Sequence, residues 1–178
     1  MVVLNQKKYF DELVFCIIIL ILFALEVGMA IKNKSQNLVV IGRRERISFP
    51  DLHLFNIEAK IDTGAYSTTI HCYDIAVKII NGKSILCFKL LDPGHENFTS
   101  AAQQFENFKL KTFKNSFGDQ EDRYVIKTLI LLGKRKVRGS VSLTSRSNMR
   151  FPVLVGRKLL KGRFLVNVAE EHLLESLK

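Results

Sequence analysis

An aspartate followed by small and hydroxyl-bearing residues is the strongest candidate for chemistry in this sequence. Residues 58–70 read EAKIDTGAYSTTI, so an alternating strand pattern ends at Asp62 and continues into Thr63, Gly64 and Ala65. Asp and Gly commonly form turns, and Ser and Thr suit the strand that follows. The alternative interpretation is a carboxylate held at the tip of a turn, with backbone amides and hydroxyl groups arranged around it.

Other recognisable catalytic and metal-binding patterns are missing from the sequence. It has no H-E-x-x-H, no paired C-x-x-C, no G-x-G-x-x-G and no phosphate-binding loop ending in Gly-Lys-Ser/Thr. His71 precedes Cys72, but neighbouring residues on a strand point to opposite faces, which disfavours a catalytic Cys/His pair. The other histidines are scattered along the chain: His53, His95 and His172. We therefore expect no metal site and no cofactor.

The elements around the aspartate are predicted to be β-strands. Residues 37–42 and 56–62 give strand patterns, and residues 74–94 read as a hairpin around Asn81-Gly82. Further strands are expected at residues 107–113, 123–133 and 136–146. Residues 95–106 are polar and are expected to form an excursion or a short helical turn.

Only the C-terminal part has helical patterns. GRKLLKG, at residues 156–162, suits one or two turns, and AEEHLLESL, at residues 169–177, suits a short amphipathic helix. The fold class predicted from these patterns is all-β, a small barrel or sandwich with a minor helical tail.

The N-terminus is predicted to be a separate segment. Leu13–Leu25 is an uncharged apolar run, short for a membrane-spanning helix and typical of a signal peptide. Residues 28–30 form a small-x-small pattern suited to cleavage. We expect a signal or membrane-anchor segment at residues 1–30, a linker at 31–37 and a domain at 38–178. Export or inner-membrane anchoring follows, or a cytoplasmic location if Met29 is the true start.

Charge and cysteine content narrow the functional classes. The 178 residues are 47% hydrophobic, enough for a core, and carry a formal charge of +10. The first thirty residues have two lysines against three acidic residues, so residues 31–178 carry +11. This excess indicates either a solvated basic surface or an acidic partner: nucleic acid, ribosome, anionic lipid or acidic polypeptide. Cys72 and Cys87 are expected to be two buried free thiols rather than one disulfide.

A second element accompanies the aspartate. In FPVLVGRKLL, residues 151–160, an apolar run through Val155 meets Gly156 and then a short helix carrying Arg157. Together with the Asp-Thr-Gly-Ala turn, this element resembles the retropepsin-like aspartic proteases, in which an apolar-apolar-Gly strand passes beneath the aspartate turn.

The resemblance is closer to one bacterial branch of that group and covers about Leu38 to Leu174. This branch of retropepsin-like endopeptidases is also labelled ATP-dependent zinc protease or RimK-associated protease. The similar segments are VIGRRERISFPDL, KIDTGAYSTTIHC, FKNSFGDQEDRYVIKTLILLG and SVSLTSRSNMRFPVLVGRKLLKGRFLVNV. The sequence offers no ligand cluster that supports the zinc label.

The resemblance implies a fold, a site and a mechanism. The fold would be a small closed barrel of the acid-protease type with short C-terminal helices, and residues 95–122 would be a candidate flap. Asp62 would be the catalytic carboxylate and would pair with Asp62 of a second chain in a homodimer, because the mechanism needs two carboxylates. The supporting residues would be Thr63, Gly64 and Ala65 in the turn and Val155, Gly156 and Arg157 in the second element. The Thr63 hydroxyl would brace the turn, and Arg157 would either pair with a carboxylate near the base of the dimer or be an exposed helix arginine.

Two functions are compatible with these features. The first is an aspartic endopeptidase acting on a peptide or protein, with an acidic polyglutamate tail as a candidate substrate and nucleic acid not expected as one. The second is a non-catalytic binding module for an acidic peptide or a ribosomal partner.

Overall fold

The computed structural model describes residues 17–25, 38–114, 118–146 and 150–174. Contacts divide the chain into two units, residues 1–38 and 39–178. In the first unit, residues 17–25 form helix α1, whose apolar side chains are exposed. No helix in the described ranges is both long and apolar enough to cross a membrane. The predicted linker at residues 31–37 and the rest of the predicted signal or anchor segment lie outside the described residues.

The described part of the second unit is built mainly from β-strands. Its strands are β1 (Val39–Gly42), β2 (Arg44–Phe49), β3 (Leu54–Asp62), β4 (Thr68–Ile80), β5 (Lys83–Leu90), β6 (Ala102–Phe105), β7 (Phe108–Lys114), β8 (Gln120–Leu132), β9 (Arg135–Thr144), β10 (Val153–Gly156) and β11 (Phe164–Asn167). A 3₁₀ turn at Pro50–Leu52 and helix α2 at Arg157–Leu160 complete the description. The predicted all-β class is confirmed, as is the short helix after Gly156.

Six strands pair in a ring. The order is β10, β3, β2, β8, β9 and β4, and β4 pairs again with β10. β10 runs parallel to β3 and antiparallel to β4, so it fills the gap between the two strands that flank the Asp62 turn. β5 and β6 extend from β4, β7 pairs with β8, and β1 forms a separate parallel pair with β11.

The predicted hairpin around Asn81-Gly82 joins β4 to β5. Ile80 pairs with Lys83, so the loop has two residues, and both have positive φ angles, 51° for Asn81 and 76° for Gly82. Asn and Gly tolerate this backbone region, and the resulting turn matches the twist of the two strands. The predicted hairpin around Asn81-Gly82 is therefore confirmed.

The core is one cluster of buried apolar side chains that comes mainly from the strands of the ring and from β5. Apolar side chains from facing strands are almost completely buried, among them Ile47, Phe49, Ile57, Ile70, Leu86, Phe88, Ile126, Ile130, Val141 and Val153. Cys72 and Cys87 are buried free thiols, as predicted. Burial raises the pKa of the Cys72 thiol to about 12, so this residue packs as a small apolar side chain.

The C-terminal segment corrects one prediction. Residues 169–174 of the predicted helix at 169–177 form turns and irregular backbone. Their backbone groups bond to the start of β2 rather than to one another, since His172 N–H donates to the Arg44 carbonyl at 2.9 Å. The Glu171 carboxylate also pairs with Arg44. These tertiary bonds outweigh the local helical preference of the sequence.

Residues 95–106 also differ in part from the prediction. Tight turns occupy the first residues, with the N–H of Phe98 donating to the His95 carbonyl at 2.9 Å. The rest contains strand β6, which pairs antiparallel with β5 from Leu86↔Phe105 to Lys89↔Ala102. A four-residue edge strand of mixed polarity has too weak a pattern to predict from sequence.

A buried carboxylate connects the C-terminal segment to β1 and β2. Glu45 is completely buried, and its Oε1 accepts hydrogen bonds from the N–H groups of Gly42 at 2.7 Å and Leu173 at 3.0 Å. Its Oε2 accepts from Leu174 N–H at 3.3 Å. One side chain thus accepts hydrogen bonds from three backbone donors, one of them buried and two partly buried.

We predict that Glu45→Ala destabilises the full-length protein by about 3 kcal/mol or more, because one buried and two partly buried backbone donors lose a shared acceptor. Urea denaturation followed by circular dichroism measures the change in unfolding free energy. Glu106→Ala is the matched control: its carboxylate is exposed and pairs with Lys83, so the expected change is below about 1 kcal/mol. Equal stability of the two variants would contradict the role given to Glu45.

Candidate active site at the Asp62 turn

Asp62 is the last residue of β3 and holds the turn that follows it. Its Oδ1 accepts hydrogen bonds from Gly64 N–H at 3.0 Å and Ala65 N–H at 3.1 Å. A Cβ on Gly64 would lie 3.2 Å from the same oxygen, so glycine allows this close approach of backbone and carboxylate. In the described residues Oδ2 has no hydrogen-bond partner. The carboxylate is therefore oriented through one oxygen.

The second predicted element lies directly against this turn. Gly156 is in register with Asp62 in the parallel pairing of β10 and β3, and Val155 is in register with Ile61. A Cβ on Gly156 would lie 2.5 Å from the backbone carbon and oxygen of Ser67. Only glycine permits this contact without a shift of the backbone. The structure thus places β10 beneath the aspartate turn, as the resemblance implied.

Arg157 connects helix α2 to the same turn. Its Nη1 donates to the carbonyl oxygens of Thr63 at 3.1 Å and Gly64 at 2.8 Å, and its N–H donates to the Ala65 carbonyl at 2.8 Å. The sequence left open a carboxylate partner or a solvated arginine, and the structure shows carbonyl partners instead. The bracing expected from the Thr63 hydroxyl is not seen in the described residues; the Thr63 carbonyl takes part through Arg157.

Hydroxyl groups after the turn bond the neighbouring strands together. Thr68 Oγ1 accepts from Gly156 N–H at 3.4 Å, and the hydroxyls of Thr69 and Ser142 lie 2.8 Å apart. All three hydroxyl-bearing residues are buried. They satisfy polar groups between β4, β9 and β10 without charge, which explains the small polar residues that follow the Asp-Thr-Gly-Ala sequence.

Asp62 lines a cavity of about 700 Å³. The turn and α2 form one wall. The other wall comes from the ends of β7 and β8 and from Arg146, beyond β9. The lining residues from β7, β8 and their connection are Phe113, Lys114, Asp119, Gln120, Glu121 and Arg123. Most of them fall within the flap candidate at residues 95–122, so this part of the β7–β8 hairpin lines the Asp62 cavity.

Glu121 is already paired inside this cavity. Its Oε2 accepts hydrogen bonds from Arg123 Nε at 2.9 Å and Nη2 at 2.6 Å, and its Oε1 accepts from the Thr144 hydroxyl at 2.6 Å. The hydrogen bond from Arg123 is the main cause that holds the pKa of Glu121 below its usual value. Glu121 therefore stays ionised at acidic pH values at which an ordinary carboxylate begins to protonate.

The cavity contains residues that sequence reasoning did not single out. Arg123 approaches from β8 and Arg146 from the segment after β9, and Arg123 also lies over the Phe113 ring, 5.3 Å from its centroid. No sequence pattern indicates that two arginines this far apart in the chain line the same cavity. Over the ranges that the structure describes, no three His, Cys, Asp or Glu side chains are grouped so that they could hold a metal ion.

Three comparisons relate the chain to known proteins. A family model described as "Retropepsin-like aspartic endopeptidase RimB" matches residues 40–175. A protein of Desulfotalea psychrophila named "Probable alpha-L-glutamate ligase" is 30% identical, over 73% of this chain and 28% of its own length. One of the same name from Shewanella pealeana is 29% identical, over 76% and 30%. The chain thus spans less than a third of the length of these curated relatives.

A crystal structure gives the third comparison. It is that of a protein of unknown function from Legionella pneumophila subsp. pneumophila str. Philadelphia 1, which superimposes with a TM-score of 0.59 at 25% sequence identity. The match covers 76% of this chain and 98% of the Legionella chain. The similarity therefore includes nearly the whole of that protein.

We predict that Gly156→Ala destabilises the protein by more than about 2 kcal/mol. The added methyl group meets the Ser67 backbone, and β10 cannot shift away from it because β10 is paired with both β3 and β4. Gly94→Ala is the control, since a Cβ there meets nothing within 4 Å. It should change stability by less than about 1 kcal/mol. Thermal unfolding of both variants measures the difference, and a fully stable Gly156→Ala protein would show that the close contact does not constrain the turn.

Proposed function

Because the chain belongs to the RimB-like family of retropepsin-like aspartic endopeptidases, we propose that it hydrolyses peptide bonds with Asp62 as the catalytic carboxylate. The observation that carries this proposal is the geometry of the turn. Asp62 Oδ1 is held by two backbone amides, and the side chain lines a cavity large enough for part of an extended peptide. A preoriented carboxylate at such a cavity can position and activate a water molecule.

Peptide hydrolysis by this route needs two carboxylates that share one proton. The ionised one removes a proton from water while the protonated one donates to the carbonyl oxygen of the substrate, which forms a tetrahedral intermediate. The carboxyl group that took the proton from water then gives it to the amide nitrogen, and a hydroxyl of the intermediate returns its proton to the other carboxylate. The C–N bond breaks, which releases an amine and a carboxylic acid. Mutual repulsion of two close carboxylates keeps one of them protonated.

We propose that the second carboxylate is Asp62 of a second copy of the chain. Within one chain, Glu121 lines the same cavity but is ion-paired with Arg123 and hydrogen-bonded to Thr144, so it is poorly suited to share a proton. Asp119 lies at the exposed end of the hairpin. A two-fold axis beside Asp62 would bring identical residues together and complete the pair.

The proposed substrate is an acidic peptide. The domain is strongly basic, and cations outnumber anions around the Asp62 cavity: Lys114, Arg123, Arg146 and Arg157 against Asp62, Asp119 and Glu121. Two of the relatives are named as probable glutamate ligases. A chain of glutamates, such as a glutamate ligase would make, is therefore the substrate class that we favour, with nucleic acid not expected as a substrate.

A basic groove favours the second candidate function, a binding module for an acidic polypeptide. The groove has a volume of about 910 Å³ and lies between the free edges of β6 and β7. Its charged lining residues are Lys109, Lys111, Lys127, Arg138 and Lys158, against Asp51 and Glu106. Such a surface can bind an acidic chain whether or not Asp62 is catalytic.

The N-terminal segment leads to a proposal about location. We propose that Leu13–Leu25 associates with the membrane or serves in export, since the described part of this run, residues 17–25, is a helix with exposed apolar side chains. A protein found intact and only in the cytoplasm would contradict this proposal.

We predict that Asp62→Asn lowers the rate of peptide cleavage by roughly 10²–10⁴-fold, because an amide cannot act as the general base that removes a proton from water. The fold should persist, because the amide oxygen can still accept from the N–H groups of Gly64 and Ala65. Cleavage of an acidic reporter peptide, with circular dichroism as the folding control, measures both effects. An Asp62→Asn protein that cleaves at the wild-type rate would contradict the aspartic mechanism.

If two chains share the pair of carboxylates, activity should respond to mixing of wild-type and Asp62→Asn chains. If wild-type and Asp62→Asn chains are mixed equally and allowed to exchange, random pairing leaves about one quarter of the dimers with two aspartates. Specific activity should therefore fall to about a quarter of that of pure wild type, whereas independent monomers would retain about half. The rate should also pass through a maximum with pH, because only the singly protonated pair is active.

Salt is expected to weaken binding of a poly-glutamate peptide steeply, because the groove cations are exposed and screened. Fluorescence anisotropy of a labelled peptide between about 0.05 and 0.5 M salt measures this dependence. The double substitution of Lys109 and Lys111 by Glu should reduce affinity, and Lys78→Glu, on the β4–β5 hairpin, is the charge control. Binding that does not vary with salt would contradict the electrostatic part of the proposal.

A further inference from the structure

Arg146 is a partly buried cation on the wall of the Asp62 cavity. It follows β9, and its guanidinium Nε donates to the Phe151 carbonyl at 3.3 Å. The residues that the structure describes provide no carboxylate in ion-pair contact with it; residues 147–149 are not among them. A guanidinium has five N–H donors, and this one contact leaves most of them for another acceptor.

Among the described residues, no carboxylate is ion-paired with Arg146, although its guanidinium is partly buried. Burial is the main cause that lowers the pKa of Arg146, and the charge of Arg123 lowers it further, while the charge of Asp62 opposes both. Glu121, the paired carboxylate of this wall, is held by Arg123. A partly desolvated cation without its own counterion attracts an anion that enters the cavity.

The backbone of Arg146 is held in place by a buried histidine. Arg146 N–H donates to His71 Nδ1 at 2.7 Å, so the proton of the neutral imidazole lies on Nε2. His71 Nε2 is 3.0 Å from Asp92 Oδ1, within ion-pair distance but without hydrogen-bonding geometry. The His71 side chain is 3% exposed, and the backbone N–H of His71 donates to the Pro152 carbonyl at 2.7 Å. The imidazole of His71 thus positions the backbone from which the Arg146 side chain extends.

We propose that Arg146 is a specificity-determining residue that binds a carboxylate of the peptide beside Asp62, either an acidic side chain or the free chain end. A guanidinium binds a carboxylate through two parallel N–H···O bonds, which adds direction to charge. Its charge also offsets the repulsion between that carboxylate and the ionised aspartate of the dyad. The proposal deepens the proposed function, since it names the residue that would select acidic peptides.

The test measures binding separately from turnover. Full-length protein with Asp62→Asn is titrated with labelled peptides that contain either Glu or Gln at every position and end in either a free carboxylate or an amide. Anisotropy is read at about 0.15 M salt, where long-range surface attraction is largely screened. Arg146→Met removes the guanidinium, Arg146→Lys keeps the charge without the two-pronged geometry, and Lys78→Met is the control for the loss of one charge.

We expect Arg146→Met to weaken binding of the Glu peptide about tenfold or more. Its affinity for the amidated Gln peptide should be unchanged. Arg146→Lys should lie between wild type and Arg146→Met, and Lys78→Met should bind as the parent does. If the loss follows the chain-end carboxylate rather than the side chains, Arg146 binds the chain end. If Arg146→Met does not fold, the Arg146→Lys comparison decides.

Two outcomes would overturn the inference. One is an equal loss for the Glu and the amidated Gln peptide in the folded Arg146 variants, since that would indicate a structural role. The other is equal affinity of the parent protein for both peptides. A wild-type chain that binds Glu peptides through Arg146 but never cleaves them would contradict the proposed peptidase function and leave the inference intact.

Discussion

The contact between Gly156 and the backbone of Ser67 is the constraint on which the site depends. A strand that passes directly beneath a turn must lack a side chain at the crossing, because a Cβ there would lie 2.5 Å from the Ser67 backbone. Once the strand passes, β10 can pair with both β3 and β4 and close the ring. The same passage delivers Arg157 to the carbonyls of the turn. Ring closure and the orientation of Asp62 therefore have one cause.

The described charged residues around Asp62 differ in the partners that they have. Glu121 and Arg123 neutralise each other, and Arg157 is engaged by neutral carbonyls. Asp62 and Arg146 face the same cavity without being bonded to each other in the described structure. A site that leaves one carboxylate and one guanidinium available can perform acid–base chemistry and select an anionic ligand at once. Under the proposed mechanism, a second copy of the chain would supply the second carboxylate.

Away from the site, a buried carboxylate binds the backbone of the C-terminal segment, and the side chain of Leu174 packs against the core. Glu45 accepts from backbone donors of β1 and of residues 173 and 174. An irregular segment can pack against the domain only if its backbone donors find acceptors, and one glutamate provides them. The local preference of residues 169–174 for a helix is worth a few tenths of a kcal/mol per residue and is overridden by these buried bonds.

The sequence by itself determined the features that depend on local chemistry. Asn81-Gly82 specified a two-residue hairpin because both residues tolerate positive φ angles, alternation located the strand that ends at Asp62, and the two family-like segments indicated the turn and the strand beneath it. Only the tertiary structure decided which residues meet. Contacts between residues distant in sequence decide the hydrogen bond from Arg146 to His71. They also decide the irregular backbone at residues 169–174, where a helix was predicted. Periodicity and propensity act over a few residues and carry no information about such contacts.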